Sequence, residues 1–257
     1  MSDGAGLVDR VAEWVAAAER IAVLTGAGVS TESGIPDYRG PNGVWTRDPA
    51  KMRLVSIEDY LADPRVRVEA WQERLHHPAW TAEPGAGHRA LVDLERAGRL
   101  VALITQNVDG LHQAAGSSSD LVLELHGTLH VARCLGCGYE TPMAQQLDRV
   151  RAGEADPPCA RCRGIQRSAT VAFGQSLDPE VLARAQAAAE ACELFLAVGT
   201  SLTVQPAAAL PGIAVRAGAR LVVVNAEPTP YDRMAAAVAR GSIGEVLPRI
   251  VGRAVTP

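Results

Sequence analysis

The sequence IAVLTGAGVSTESGIPDYRG, residues 21–40, joins a short apolar run to a loop rich in glycine, hydroxyl and charged residues. The apolar run has no polar alternation, which is typical of a strand covered on both faces in a parallel sheet. Similar runs recur along the chain with helical patterns between them, at residues 100–105, 121–125, 169–173, 194–199 and 221–225. This alternation predicts a doubly wound α/β fold with a parallel, Rossmann-like sheet.

Two of the segments between these runs have clear helix signals. Residues 177–192 are rich in alanine, the residue with the highest helix propensity. Residues 87–99 place Leu91 and Leu94 on one face and reach Gly98, a typical stop signal. We therefore predict a helix in each segment.

Length and composition limit the class of protein. The chain has 257 residues, 47% of them apolar, which is enough for one large domain with its own core. A formal net charge of −4 gives no field that would gather nucleic acid or an anionic membrane. No stretch is apolar and long enough to be a transmembrane helix. We expect a cytoplasmic monomer or weak oligomer that binds a small molecule or short peptide, and neither nucleic acid nor membrane.

The cysteines form the most specific pattern in the sequence. Cys134 and Cys137 form one C-x2-C pair, and Cys159 and Cys162 form a second pair after 21 intervening residues. Four thiolates in this arrangement can close a tetrahedron around zinc and leave no position for water, so the predicted site is structural. The alternative is a zinc ribbon that binds nucleic acid. Nearby arginines favour it, but no aromatic residues are interleaved with them; the arginines are Arg133, Arg161, Arg163 and Arg167.

Two regions depart from the alternation of strand and helix. Residues 41–85 hold most of the tryptophans and several prolines, which indicates short helices and loops, and a second region contains the cysteine pairs. We therefore expect a Rossmann-like domain formed by residues 1–40, 86–127 and 169–257, with a helical insert at 41–85 and a small zinc-binding module at 128–168.

The loop after the first strand lies where a doubly wound fold presents backbone N–H groups to a phosphate. Gly26 and Gly28 would let a pyrophosphate approach closely. Thr31 stands where G-x-G-x-x-G has its third glycine, and no acidic residue closes a second strand about twenty residues further on. A nucleotide loop and a tight turn therefore both fit. Asp37 and Arg39 favour the nucleotide loop, although a solvated salt bridge would also explain them.

Polar residues follow the other predicted strands. Asn107 and Asp109 come after the second, where α/β enzymes place ligand contacts, although they could simply cap a turn. His126 follows the next strand; a lone histidine is commonly structural, but one at this position is a candidate general base because its pKa is near neutral. The later strands open into residues 198–204 and 224–229. Together these strand ends predict a crevice of dinucleotide size.

These motifs together resemble those of the sirtuin family, the NAD-dependent protein lysine deacylases. The matching segments span residues 21–248 in the family's order: GAGVSTESGIPDYRG, TQNVDGLH, ELHG, the two cysteine pairs, VAFGQ, GTSLTVQPA and VNAEPTPYD. The resemblance implies that the protein is a deacetylase by default. It would consume NAD, act on acyl-lysine proteins or peptides, carry a structural zinc, and release nicotinamide, O-acyl-ADP-ribose and free lysine.

The resemblance also implies roles for individual residues. His126 would be the general base, and Asn107 and Asp109 would shape the nicotinamide pocket. A segment that includes Val171, Phe173 and Gly174 would pair with the substrate peptide as an added strand, with Phe173 as a wall of the acyl-lysine tunnel. NAD contacts would come from Gly26, Ala27, Gly28, Ser30, Asp37, Tyr38, Arg39, Trp45, Gln106, Gly199, Thr200, Ser201, Asn225, Ala226, Glu227, Ser242 and Ile243.

Some positions depart from the family pattern. Tyr38 replaces the commoner Phe and keeps the ring. Gln175 replaces the usual Glu after Phe-Gly, which removes a negative charge near the peptide groove. Bacterial relatives that favour succinyl-lysine carry a Tyr and an Arg three apart in the helical region, where only Trp71 and Arg74 have that spacing here. We do not expect efficient desuccinylation, although Arg74 leaves it open.

Other functions fit parts of the pattern. Mono-ADP-ribosyl transfer would use the same cleavage of NAD with a protein nucleophile, and a long-chain deacylase would differ only in its acyl group. A non-catalytic sensor of NAD or ADP-ribose would not need His126, Asn107 and Asp109 together. A dehydrogenase is the weakest alternative because the third glycine and the acidic ribose residue are missing.

Overall fold

The structure is a computed structural model that describes residues 3–254, with side chains described from residue 6 onward. Residues 1–2 and 255–257, which the expected Rossmann-like domain includes, lie outside the described residues. None of the helices in the described part of the chain is long and apolar enough to cross a membrane.

A six-stranded parallel sheet forms the centre of the large domain. Its strands are β1 (Ile21–Thr25), β2 (Leu100–Thr105), β3 (Val122–Glu124), β7 (Leu194–Val198), β8 (Arg220–Val224) and β9 (Ala237–Ala239). The spatial order is β3-β2-β1-β7-β8-β9, so the sheet grows from β1 in one direction and from β7 in the other. The point between β1 and β7 is the topological switch point, where a doubly wound sheet opens its ligand crevice.

Helices cover both faces of this sheet, as the doubly wound prediction requires. On one face, residues of α1 (Asp3–Ala17), α5 (Ala86–Arg96) and α10 (Ile243–Gly252) join one apolar cluster with the strands. On the other face, α8 (Pro179–Ala191) and α9 (Leu210–Arg216) join a second cluster. The short helix α6 (Leu111–Ala115) follows β2. The helices predicted at 87–99 and 177–192 are thus confirmed.

A small antiparallel sheet lies beside the large domain. It contains β4 (Gly127–Cys134), β5 (Glu140–Pro142) and β6 (Gln166–Thr170) in the order β5-β4-β6, with α7 (Met143–Arg151) next to it. The predicted parallel strand at 169–173 is therefore wrong, because β6 begins earlier, ends at Thr170 and pairs with β4. The apolar run gave a wrong prediction because such a run fits any buried extended segment. Most of β6 consists of the polar residues that precede the run.

The insert consists of short helices, as its composition predicts. They are α2 (Val44–Arg47), α3 (Ile57–Ala62) and α4 (Pro64–Leu75), with one 3-10 helix between α2 and α3 and another after α4. Side chains cap two of these helices: Ser56 accepts from the amide of Asp59, and Asp63 accepts from Arg65. Trp71 of α4 is fully buried in a cluster with residues of β4 and α7, so the insert packs on the small sheet.

Close backbone packing joins the loops after β1 and β7. A Cβ atom on Gly28 would lie 2.7 Å from the Cα of Gly199, and one on Gly26 would lie 2.8 Å from the Gly199 carbonyl oxygen. Gly199 has a φ of +61°, and a Cβ there would lie 2.6 Å from the amide nitrogen of Val29. Two backbone hydrogen bonds cross the contact, from Gly26 to the carbonyl of Val198 and from Gly28 to that of Gly199. Glycine is therefore required on both sides.

We predict that Gly28→Ala lowers the free energy of unfolding by about 1–3 kcal/mol, because the added methyl group would force the two loops apart. The measurement is the chemical denaturation midpoint. Gly6→Ala is the matched control, since Gly6 lies within α1 with no atom close to its missing Cβ, and alanine favours helix. Equal stability of Gly28→Ala and the wild type would show that the loops do not pack this closely.

Candidate functional site

His126 lies at the carboxyl end of β3, half-buried, with its ring fixed by a neighbouring strand end. Its Nδ1 is 2.9 Å from the carbonyl oxygen of Gln106. A carbonyl can only accept, so Nδ1 carries the proton and the lone pair of the neutral ring is on Nε2. Burial lowers the pKa of His126, and the charge of Arg39 lowers it further, against the opposing effect of the Gln106 hydrogen bond. His126 is therefore a neutral base at physiological pH.

Asn107 and Asp109 are held against the loop that follows β1. The Asn107 amide nitrogen donates to the carbonyl of Gly26 at 3.2 Å and to the hydroxyl of Ser30 at 3.1 Å. The Ser30 hydroxyl donates to Asp109 Oδ2 at 2.8 Å, and Asp109 Oδ1 accepts from the amide of Leu111 at 3.0 Å. All three side chains are buried. The amide and the carboxylate are thus fixed together beside Ser30.

A buried layer of hydroxyl groups lies beneath these residues. Thr25 Oγ1 donates to Thr105 Oγ1 at 2.8 Å, and its only proton is used there, so the contact of 2.9 Å with His112 is donated by Nε2 of the ring. Thr105 Oγ1 also accepts from the backbone amide of Asn107 at 3.1 Å. Burial lowers the pKa of His112 to about 3, so this support carries no charge.

A second histidine supports Ser30 from another direction. His88 Nδ1 accepts from the amide of Gly85 at 3.1 Å, and Nε2 is 3.4 Å from the Ser30 hydroxyl. Burial lowers the pKa of His88. Its ring packs edge-on to His112, with the ring centres 4.9 Å apart. The two rings therefore form one neutral support beneath the Asn107 and Asp109 side chains.

The segment from Asp37 to Trp45 forms an aromatic wall next to Phe173. The Trp45 ring lies 4.6 Å from the ring of Tyr38 and 5.5 Å from that of Phe173, measured between centres. The Arg39 guanidinium lies 4.6 Å from the Trp45 ring centre, a cation–π contact. Asp37 accepts from the amide of Gly40 at 2.8 Å. Asp37 thus shapes the turn while Arg39 stacks on Trp45, an arrangement that a simple Asp–Arg salt bridge does not describe.

The segment 171–174 crosses between His126 and the insert. The amide of Val171 donates to the carbonyl of His126 at 2.8 Å. The amide of Phe173 donates to Val55 at 2.8 Å, and its carbonyl accepts from Ile57 at 3.0 Å. The Phe173 side chain is 41% exposed. The backbone of Phe173 is therefore paired within the chain while its ring remains accessible, and Gly174 follows in a left-handed conformation.

The strand ends of β7 and β8 supply the other half of the crevice. Gln106 Nε2 donates to Thr200 Oγ1 at 2.8 Å, which links the end of β2 to that of β7. The Asn225 amide donates to the carbonyl of Glu227 at 2.8 Å, so it folds back over its own loop. Arg240 fixes that loop by donating to the carbonyls of Asn225 and Glu227 at 2.7 and 2.9 Å.

The remaining residues predicted to contact NAD lie around this half. Glu32 Oε1 accepts from the hydroxyl of Ser242 at 2.7 Å and from the amide of Gly244 at 3.0 Å, which joins the β1 loop to the start of α10. Ser201 shares a hydrogen bond of 2.9 Å with the hydroxyl of Thr203. Ile243 is buried, whereas Ala226 is exposed.

The four paired cysteines form a compact thiol cluster at the end of β4 and before β6. All four Sγ atoms lie within 4.8 Å of one another. The separations are 3.4 Å from Cys134 to Cys162 and 3.8 Å from Cys137 to Cys159. Zinc–sulfur bonds of about 2.3 Å in a tetrahedron require sulfur separations of about 3.8 Å. The cluster fits a structural zinc with four thiolate ligands.

A protein-family model described as the Sir2 family matches residues 26–206. NAD-dependent protein deacetylase 2 of Streptomyces coelicolor is 58% identical over 231 residues, which cover 90% of this chain and 96% of that protein. The chain belongs to the Sir2 family.

Solved Sir2 structures have the same fold. One, described as Sir2 with a deacetylated p53 peptide and 3'-O-acetyl ADP ribose, matches with a TM-score of 0.89 at 32% identity, covering 97% of this chain and 99% of the other. A second, described as Sir2 with a p53 peptide and NAD+, matches with a TM-score of 0.86 at 32% identity, covering 95% and 97%. The predicted sirtuin resemblance and fold are confirmed.

Sequence reasoning missed several residues that support the site of this Sir2 chain. Thr25, Thr105, His88 and His112 form the buried support, and Arg240 fixes the loop after β8. His112 closes the quoted motif TQNVDGLH, but nothing in that pattern indicates that its ring turns back to Thr25. Thr25, Thr105 and His88 lie in a helix or in apolar strands, and Arg240 directly follows β9. None of these positions has a sequence signal for a hydrogen bond between distant segments.

We predict that Cys137→Ser lowers the zinc content from about one ion per chain and disorders the small sheet, because four thiolates are needed to complete the tetrahedron. Elemental analysis gives the zinc content, and the melting temperature reports the loss of stability. Cys192→Ala is the matched control, since Cys192 is buried at the end of α8 outside the cluster. Full zinc in Cys137→Ser would exclude this ligand set.

Proposed function

We propose that His126 is the general base of this NAD-dependent protein deacetylase of the Sir2 family, which forms nicotinamide, O-acyl-ADP-ribose and free lysine. The observation that carries the assignment is the hydrogen bond from His126 Nδ1 to the Gln106 carbonyl, which leaves Nε2 as a base in a ring of lowered pKa. The relative from Streptomyces coelicolor and the Sir2 structures with NAD+ or 3'-O-acetyl ADP ribose support the activity.

The residues of the crevice fit the parts of NAD. When it is bound, NAD supplies a ribose carbon from which nicotinamide can depart. Asn107 and Asp109 present an amide and a carboxylate suited to a carboxamide, and Ser30 fixes both. The amide hydrogens of Gly26 and Gly28 are donated to Val198 and Gly199. We therefore assign the phosphate contacts to Ala27 and to Thr200 and Ser201 across the switch point, and regard the two glycines as packing residues.

The other predicted NAD residues divide between two ends of the crevice. Asn225, Ala226 and Glu227, on the loop that Arg240 fixes, would receive the adenosine half, with Ser242 and Ile243 at the start of α10 closing over it. Gln106, Asp37, Tyr38, Arg39 and Trp45 would surround the ribose next to nicotinamide.

His126 would take a proton from a ribose hydroxyl at Nε2. Its ring needs no change of tautomer, because Nδ1 keeps its proton, hydrogen-bonded to the Gln106 carbonyl, while Nε2 becomes protonated. The aromatic wall of Tyr38, Trp45 and Phe173 would exclude water from the acyl group during this transfer. The accessible Phe173 ring would contact the acyl-lysine chain.

The substrate would be an acyl-lysine peptide that adds along residues 171–174. Because both backbone groups of Phe173 are already paired with the insert, a substrate strand would use the Val171 carbonyl and the backbone of Gly174. Arg74 is buried against Tyr60 and Trp71, and we do not assign it to the acyl pocket. We propose a cytoplasmic location, which the unbridged cysteines among the described residues support.

We predict that His126→Ala lowers the rate of deacetylation of an acetyl-lysine peptide by about 10²–10⁴-fold, the usual contribution of a general base. Free lysine and nicotinamide are quantified together by mass spectrometry. His76→Ala is the matched control, because His76 is exposed and bonded only to the carbonyl of Gln72 in its own helix. A His126→Ala enzyme as fast as this control would exclude the role.

We predict that kcat/KM falls on the acid side with a midpoint below about 6.5, the ordinary pKa of histidine. The neutral ring is the base, so a lowered pKa keeps it active at lower pH and moves the loss of activity downward. Arg39→Gln removes one cause of the lowered pKa and should raise the midpoint, whereas Arg39→Lys keeps the charge and should not. A wild-type midpoint above 6.5 would contradict the assignment.

A further inference from the structure

Two buried arginines face the same tyrosine ring beside the substrate segment. Arg74 of α4 is 8% exposed and Arg167 of β6 is 3% exposed. Their guanidinium carbons lie 5.5 and 5.6 Å from the centre of the Tyr60 ring. Neither arginine has a role in the catalytic site described above. We refer to Arg74 and Arg167 as the arginine pair.

The hydrogen-bond acceptors of the arginine pair are neutral. Arg167 Nη1 donates to Gln175 Oε1 at 2.7 Å and Nη2 to Thr170 Oγ1 at 3.3 Å. Arg74 Nε donates to Ser168 Oγ at 3.3 Å. The buried Nε of Arg167 and Nη1 of Arg74 have no hydrogen-bond partner within residues 3–254. These two buried N–H groups therefore lack a hydrogen-bond acceptor.

No carboxylate within the described residues forms an ion pair with either arginine. Asp156 accepts a hydrogen bond from the Trp71 indole, but it forms its ion pair with Arg67, at 2.6 Å. A buried charge without a counter-charge is generally unfavourable. Burial lowers the pKa of Arg167 only to about 10, so the guanidinium keeps its charge at neutral pH. The pair therefore holds positive charge that has no ion-pair partner among the described residues.

Gln175 stands at the position that would supply the missing carboxylate. Its Oε1 accepts both from Arg167 and from the amide of Ala172 at 3.0 Å, so this side chain also shapes the substrate segment. A glutamate could accept the same two hydrogen bonds and would add the counter-charge. Gln175 is exposed, so its amide can move aside for an incoming group.

Other charged groups near the segment are compensated or screened. Lys51 pairs with Glu73 at 2.9 Å, and Arg53 pairs with Glu69. Glu58 and Asp59 at the start of α3 are exposed, where water and salt weaken their effect. Arg39, which stacks on Trp45, is exposed as well. Among the described residues at this edge of the groove, the arginine pair is therefore the buried charge without an ion pair.

We propose that the arginine pair is an anion site completed by the substrate, which makes this deacetylase select acetyl-lysine peptides with acidic flanking residues. A glutamate or aspartate of the peptide would displace the Gln175 amide and accept from Arg167 Nη1. The peptide comes close enough because it runs along residues 171–174, directly before Gln175. The inference rests on the proposed peptide mode and specifies the substrate class.

The test compares acetyl-lysine peptides of one length whose flanking residues are Glu, Gln or Lys. We expect the wild type to have a kcat/KM about tenfold higher for the Glu peptide than for the Lys peptide. Gln175→Glu should reduce this ratio to about twofold or less and raise the melting temperature, because Arg167 then has a permanent partner. Lys51→Gln is the matched control; it removes a partly buried cation of the insert that is paired with Glu73, and it should keep the ratio.

Several outcomes would overturn the proposal. Equal kcat/KM for the three peptides in the wild type would show that the pair is only a packing element, even if Gln175→Glu melts at a higher temperature. An unchanged ratio in Gln175→Glu would place the selectivity elsewhere. Faster turnover of a succinyl-lysine peptide with Gln flanks, without a preference for Glu flanks, would assign the anion to the acyl group instead.

A separate measurement distinguishes failure of this inference from failure of the deacetylase assignment. An unmodified Glu-flanked peptide is added to the protein labelled with ¹⁵N-arginine, and the Nε–Hε signals are recorded by NMR. We expect the signal of Arg167, assigned with Arg167→Lys, to shift for the Glu peptide and not for the Lys peptide. No shift would overturn the anion site whether or not acetyl-lysine is turned over.

Discussion

The close contact between the loops after β1 and β7 is the constraint on which the site depends. At this contact Gly26 and Gly28 pack against Gly199 with no room for a side chain, and two backbone hydrogen bonds cross it. It lies at the switch point, where the strand order reverses and a doubly wound sheet opens its ligand crevice. The glycines of the first loop thus act mainly by letting two pieces of backbone meet. That meeting also fixes the Gly26 carbonyl, which accepts from Asn107.

Hydrogen bonds carry this geometry to the residues of the candidate site. The contact fixes Gly26, whose carbonyl accepts from Asn107, and Ser30 then joins Asn107 to Asp109. Beneath them, the threonines and histidines of β1, β2, α5 and α6 form a buried support. Burial keeps those histidines uncharged. A neutral support suits a site that must hold a carboxylate and a base without altering their charge.

The edge of the site contains charged groups, unlike the neutral support beneath it. His126 remains neutral because burial and Arg39 both disfavour its protonated form. Burial also lowers the pKa of Arg167, but a guanidinium has a far higher ordinary pKa than an imidazole and keeps its charge at neutral pH. Burial therefore favours the neutral form on both sides of residues 171–174, and only the histidine becomes neutral.

The sequence by itself determined the class of fold, the four cysteines of the thiol cluster and the strand ends that meet at one edge of the sheet. Apolar runs at regular intervals require a covered parallel sheet, and parallel strands bring their carboxyl ends to one edge, so His126, Asn107 and the glycine loop had to converge. The cysteine spacing likewise left little freedom, since four thiols so placed can close one tetrahedron.

Only the tertiary structure decided the partners of individual side chains. It placed residues 166–170 in the small sheet, turned His112 back to Thr25, paired Phe173 with the insert and set Arg74 beside Arg167. These contacts join segments far apart in the chain, and their energies depend on burial and direction, which periodicity and spacing do not encode. A sequence pattern predicts which face a residue occupies, whereas its hydrogen-bond partner depends on how the faces meet.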